Sequence, residues 1–168
     1  MKAVVVYESL WGNTAAVAHA IAEGIGDGAQ ALTTTDATAE AMTDVDLVVV
    51  GAPLIAFSLA TNQSRDNIRS NPGKPPSPPD LAHPSMRDWL DALPEGSGRS
   101  AAFETRFRWS PGSATKSIER ELVKAGYSRL AEPGRFMITG RYGPLREGEV
   151  ERARVWGAEL ARTAREGG

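Results

Sequence analysis

A short polar turn near the start of the chain has residue types that could bind a phosphate group. An apolar run, residues 3–7, ends at this turn, and Gly12-Asn13-Thr14 then opens a segment with helical spacing. Free amides and the positive end of the dipole at a helix N-terminus favour an anion. A glycine lets the backbone approach a ligand closely, and Ser9, Asn13 and Thr14 add side-chain donors. We therefore predict an anion-binding loop over residues 9–14.

The elements that must position this loop alternate between strands and helices. Apolar and β-branched runs predict five strands, and helical periodicity with capping residues predicts four helices. The predicted strands are 2–7, 29–33, 47–51, 99–105 and 135–139, and the predicted helices are 13–23, 85–93, 114–125 and 147–164. A short Ala-rich segment, residues 37–42, follows Asp36, which could cap it.

This alternation predicts an α/β fold with a parallel sheet covered by helices on both faces. Ligands of such sheets bind beyond the carboxyl ends of the strands, at a switch point in the strand order. Residues 8–13, 52–61 and 104–112 lie there and have unusual compositions. We expect the three segments to form one shared site.

A Pro-rich region interrupts the alternation. Six of the eleven prolines lie between Pro72 and Pro84, where they remove backbone donors and block helical neighbours. We predict that residues 53–84 form neither a helix nor a central strand, and that they are a functional loop. Because neither flank looks complete alone, we predict one domain, residues 1–168, with a Pro-rich loop at about 60–84.

Composition restricts the function classes. The chain has 168 residues, a net charge of −2 and no cysteine, which excludes disulfides, thiolate metal sites and cysteine nucleophiles. No apolar run reaches membrane-span length and no signal-peptide pattern opens the sequence, so we expect a cytoplasmic protein without membrane or nucleic-acid partners. Residues 99–141 carry nine Lys/Arg and four Asp/Glu. This excess fits either a solvated helix face or a basic rim beside an anionic cofactor or acidic partner.

The kind of phosphate can be narrowed by elimination. A P-loop needs a lysine beside its glycines, and none stands near Gly12. A dinucleotide fingerprint needs three glycines where this loop has one, although Asp36 lies about where a ribose-binding acid would fall. What remains is a loop for one terminal phosphate.

Ser9-Leu10-Trp11-Gly12-Asn13-Thr14 resembles the flavodoxin phosphate loop, in which Thr/Ser, any residue, Thr, Gly, Asn and Thr follow the first strand. The resemblance implies a flavodoxin-like doubly wound sheet of strand order 2-1-3-4-5 and FMN as the cofactor. The loop of this sequence differs from the family pattern at Trp11, which stands where the family usually has Thr.

The resemblance also implies which residues bind the cofactor. The phosphate would be bound by the side chains of Ser9, Asn13 and Thr14 and by the amides of residues 10–14, among them Leu10, Trp11 and Gly12. The ring would lie between two later loops, with Phe57 as the main contact in the first and Phe107 or Trp109 flanking it in the second. The full set of predicted ring-site residues is Pro53, Leu54, Ile55, Phe57, Thr105, Arg106, Phe107 and Trp109.

The function that the resemblance implies is an electron carrier between redox partner proteins, a reductase and an acceptor. No residue need act as an acid or base, and no catalytic or metal site is predicted; Glu8 is expected to be solvated. Two alternatives stay open: a flavodoxin-like NAD(P)H-dependent quinone reductase, and a flavodoxin-fold binding module without flavin.

Overall fold

A parallel sheet with helices on both faces forms the centre of the computed structural model, which describes residues 1–167. The strands are β1 (Ala3–Tyr7), β2 (Gln30–Thr33), β3 (Leu47–Pro53), β4 (Arg99–Arg106), β5 (Ser128–Arg129) and β6 (Gly134–Met137). The helices are α1 (Asn13–Ile25), α2 (Asn62–Ser70), α3 (Met86–Asp91), α4 (Thr115–Lys124) and α5 (Glu149–Glu166). The order is β2-β1-β3-β4-β5, with β6 also paired to β4, which confirms the predicted 2-1-3-4-5 topology.

Two apolar cores lie on opposite faces of the sheet. Helices α1 and α5 cover one face, where Phe103 and Phe136 are fully buried, and α3 and α4 cover the other. Helices α1 and α5 approach closely because Gly157 has no side chain; a Cβ there would collide with the Ile21 carbonyl. Strand β3 is a continuous apolar run because it is buried on both faces.

Three expectations need correction. Helix α2 lies inside the stretch predicted to be a loop, because the Pro-rich segment, residues 72–84, begins only after it. Strand β6 matches the predicted fifth strand, 135–139, but a short strand that was not predicted, β5, precedes it and is separated from it by a segment that contains Pro133. Residues 39–42 form turns, and the Asp36 carboxylate accepts a hydrogen bond from the Thr33 hydroxyl at 2.9 Å instead of capping a helix.

Within residues 1–167, no helix is both long and apolar enough to cross a membrane.

Candidate functional site

A cavity of about 210 Å³ opens where β1, β3 and β4 end. It brings together all of the predicted site residues except Gly12, Phe57, Arg106 and Trp109. The lining residues are Ser9, Leu10, Trp11, Asn13, Thr14, Pro53, Leu54, Ile55, Ile68, Thr105, Phe107, Ile138 and Arg141.

The 9–14 loop presents backbone donors to this cavity. Gly12 caps α1 with φ of +94°, a left-handed conformation that glycine adopts without steric cost. The Ser9 hydroxyl accepts hydrogen bonds from the amides of Gly12 (3.1 Å) and Ala15 (3.2 Å). The amides of Asn13 and Thr14 have no acceptor among residues 1–167. Ser9 therefore shapes the loop, and two helix-terminal donors remain for a ligand.

The side chains of Asn13 and Thr14 fasten the loop to its neighbours. The hydroxyls of Thr14 and Thr105 lie 2.7 Å apart in a buried contact, which joins the start of α1 to the end of β4. Asn13 Nδ2 donates to the Tyr142 carbonyl at 3.0 Å, which joins α1 to the 138–145 loop. Both contacts fix the geometry of the 9–14 loop at the cavity.

Trp11 packs against the same loop. Its ring meets the edge of Tyr142 with centroids 4.9 Å apart, and the Tyr142 hydroxyl donates to the Pro72 carbonyl at 2.6 Å. The Trp11 indole nitrogen is buried and has no hydrogen-bond partner within the described part of the chain. The Pro-rich segment and the 138–145 loop thus meet over the 9–14 loop.

The rest of the cavity lining is mainly apolar. Leu54 and Ile55 follow β3, and the Leu54 amide donates to the Thr105 carbonyl at 2.9 Å, which holds the loop after β3 against β4. Phe107, Ile68 and Ile138 complete the apolar lining. The cavity therefore combines the hydrogen-bond donors of the 9–14 loop with a mainly apolar lining.

Phe57 and Trp109 lie outside the cavity lining, with 67% and 83% of their surfaces exposed. Ala56 and Phe57 have φ of +48° and +75°, which is strained for residues other than glycine. The turn is held because the Ser113 amide donates to the Phe57 carbonyl at 3.1 Å. The two aromatic side chains project from loops beside the cavity instead of lining it.

Arg106 does not form a free basic rim. Its guanidinium pairs with the buried Glu104 at 3.1 Å and also donates to the carbonyls of Ser110 and Gly112, so its side chain is only 11% exposed. Arg108 is exposed, and its guanidinium lies 4.9 Å from the centre of the Trp109 ring. Arg106 therefore braces the loop after β4.

Glu8, directly before the 9–14 loop, is buried and paired with Arg65 of α2, so the expectation that it is solvated is wrong. Arg65 also donates to the His83 carbonyl at 2.6 Å. Burial raises the pKa of Glu8, and the Arg65 charge opposes that shift. The pair connects the 9–14 loop to α2 and to the Pro-rich segment.

Sequence reasoning missed Ile68, Ile138 and Arg141. Ile68 lies on α2, and no apolar periodicity marks this helix in the sequence. The sequence feature that could have indicated the helix is the capping box formed by Thr61 and Ser64. Arg141 is exposed at the edge of the cavity, with its guanidinium 5.3 Å from the Tyr142 ring centre. No local motif distinguishes it from the other arginines of the basic region.

Similarity to known proteins appears at the level of structure. No protein-family model matches the sequence, and no curated protein matches it. An archaeal flavodoxin superposes with a TM-score of 0.68 at 19% identity, covering 98% of this chain and 99% of that one. Flavodoxin 2 from Bacillus cereus gives 0.67 at 16% identity over 100% of both chains, and a flavodoxin, WrbA-like protein from Agrobacterium tumefaciens gives 0.61 at 20% identity over 98% of both. The chain has the flavodoxin-like fold.

Proposed function

We propose that this protein binds FMN and carries electrons between redox partner proteins. The observation that supports the proposal is the composition of the cavity. Its lining combines Asn13 and Thr14, whose amides are free, with the apolar residues Leu54, Ile55 and Phe107. A ligand with a terminal phosphate and a flat ring suits both kinds of lining residue, and the site has the topological position expected for ligands of this sheet type.

The residues have separate tasks in this proposal. The amides of Asn13 and Thr14, aided by the α1 dipole, bind the phosphate, while the Ser9 hydroxyl keeps the loop open for it. Leu54 and Phe107 cover the ring and exclude water from it. When bound, FMN supplies the electron-transfer chemistry, and the protein supplies binding, orientation and electrostatics.

Arg141 adds a positive charge beside the 9–14 loop, which has no lysine or arginine of its own. It lies at the edge of the cavity on the loop that Asn13 holds, so its guanidinium can approach a bound phosphate. A charge-assisted contact is about twice as strong as a neutral one and weakens with salt. We therefore expect FMN affinity to depend on ionic strength.

The exposed aromatic side chains beside the cavity suit transient contact with partners. Phe57 and Trp109 project into solvent from two loops beside the cavity. Exposed aromatic and arginine side chains are enriched at protein interfaces. Reductase and acceptor proteins would dock over this edge, close to the bound ring.

One titration tests the proposal. Purified protein, freed of any bound flavin, is titrated with FMN while flavin fluorescence and visible absorbance are followed. We expect saturable quenching and a shifted flavin spectrum with one equivalent bound. A protein that leaves FMN fluorescence unchanged would be a flavin-free binding module instead.

The second candidate function is an NAD(P)H-dependent quinone reductase with the same cofactor. Arg141 favours it, because an exposed cation at the cavity edge could also bind a dinucleotide phosphate. Anaerobic addition of NADPH to the FMN-loaded protein separates the two candidates. Direct bleaching of the flavin without a partner reductase supports the enzyme, and an unchanged spectrum supports the carrier.

A further inference from the structure

We propose that the indole N–H of Trp11 is a phosphate donor that distinguishes FMN from riboflavin in this site. The inference rests on the proposed function, because it assigns a role within the same cavity. Where the resemblance puts a hydroxyl, this chain has a larger side chain that also carries a donor.

The central observation is the unpaired state of the indole nitrogen. Trp11 Nε1 is buried without a partner among residues 1–167, and Trp11 is one of the residues that line the cavity, together with Asn13 and Thr14. Buried polar groups are nearly always hydrogen-bonded, so an unpaired N–H of a cavity-lining residue calls for an acceptor. By contrast, the buried indole of Trp89 donates to the Ala37 carbonyl at 2.8 Å.

The surroundings of Trp11 also point to a fixed donor. Tyr142 packs against the indole ring at 4.9 Å, and both ends of Tyr142 are held, by Asn13 at its carbonyl and by Pro72 at its hydroxyl. A ring held in this way has little freedom to turn its N–H toward another acceptor, and the two free helix amides belong to the same loop. An anion is the acceptor that this combination of donors favours.

A matched pair of substitutions tests the proposal. Trp11→Phe removes the N–H while keeping an aromatic ring against Tyr142, and Trp156→Phe makes the same change on α5, where Trp156 packs against Phe136 outside the cavity lining. The dissociation constants of FMN and riboflavin are measured for both variants and the wild type. We expect Trp11→Phe to weaken FMN binding about 10- to 100-fold, as for loss of a hydrogen bond to a charged group. Riboflavin binding by Trp11→Phe and all binding by Trp156→Phe should change less than about threefold.

The outcomes separate this inference from the proposed function. Equal losses for FMN and riboflavin, or no loss for either, would overturn the role of the indole while leaving FMN binding intact. A wild-type protein that binds neither flavin would overturn the proposed function itself.

A second measurement uses the wild-type protein and so does not depend on the folding of a variant. The four indole N–H signals are followed by nitrogen–proton correlation NMR during titration with FMN or riboflavin. The Trp11 signal should move downfield with FMN and much less with riboflavin. The same displacement with both ligands would contradict phosphate recognition by Trp11.

Discussion

Replacing Arg65 by methionine should destabilise the protein strongly, because it leaves the Glu8 carboxylate buried without its partner. The two side chains are 9% and 3% exposed, and Arg65 also donates to the carbonyls of Leu81 and His83. Removing one member of a buried pair typically costs about 3–5 kcal/mol. Methionine keeps most of the apolar stem, so the loss comes mainly from the uncompensated charge.

The same helix provides a control. Arg69 lies one turn after Arg65 in α2 and pairs with Asp66, but the side chains of this pair are 58% and 69% exposed. Arg69→Met should therefore change the free energy of unfolding by only about 0–1 kcal/mol. Urea unfolding at neutral pH gives both values. If Arg65→Met costs no more than Arg69→Met, the buried pair does not hold the 9–14 loop to α2.

The pH dependence gives an independent check on Glu8. Burial raises its pKa, so the folded state takes up a proton at higher pH than the unfolded chain does. Lowering the pH through that interval favours the folded state. Arg65 opposes this rise, so the pKa of Glu8 should lie higher still in Arg65→Met. That variant therefore gains more from protonation than the wild type, and its deficit should shrink as the pH falls from neutral toward 4.5, the ordinary pKa of a glutamate. The deficit of Glu8→Gln/Arg65→Met, measured against Glu8→Gln, should be smaller at neutral pH and constant over this range; a parallel decline in both comparisons would refute the reasoning.

Three further perturbations have defined outcomes. Hydrogen bonds from Arg152 and others outweigh the effect of burial and lower the pKa of Glu149 to about 2, so Glu149→Gln should lose up to about 3 kcal/mol at neutral pH. This difference should disappear as the pH falls from 4.5 toward 2, and urea midpoints across that range test it. Arg141→Gln should weaken FMN binding about tenfold and reduce its salt dependence, with riboflavin binding unchanged; equal loss for both flavins would place Arg141 away from the phosphate. Ala56→Gly should stabilise the protein by about 0.5–1 kcal/mol, because glycine adopts a positive φ without strain. The control Ala16→Gly, inside α1, should destabilise the protein by about 1 kcal/mol. Melting temperatures that shift in the same direction for both variants would contradict this reasoning.

The sheet could be predicted because its signals are local. Strand β3 is an unbroken apolar run, and the predicted edges of β1 and β4 lie within about two residues of those observed. Helix α2 could not be found in this way, because only Ile68 and Arg65 of its nine residues are buried and no apolar stripe results. The short strand β5 follows from its pairing with β4, which a single run of residues does not reveal.

The candidate site likewise has parts that the sequence predicts and parts that depend on contacts between distant residues. The 9–14 loop and the segments after β3 and β4 carry local motifs, and they do line one cavity. The position of Arg141 depends on Asn13 and Tyr142, which are distant in sequence and joined by one hydrogen bond. Exposure of Phe57 and Trp109 depends on how their loops turn, whereas the resemblance implied that Phe57 would contact the ring and that Phe107 or Trp109 would flank it.

The measurement that tests the central proposal most directly is a paired titration of the flavin-free protein with FMN and riboflavin. A cavity lined by the 9–14 loop and by apolar residues predicts saturable binding of one equivalent of FMN, with clearly weaker binding of riboflavin because the free amides of Asn13 and Thr14 then have no phosphate to bind. Equal affinity for the two flavins would contradict phosphate recognition by the 9–14 loop. No binding of either would contradict the assignment of FMN to this cavity.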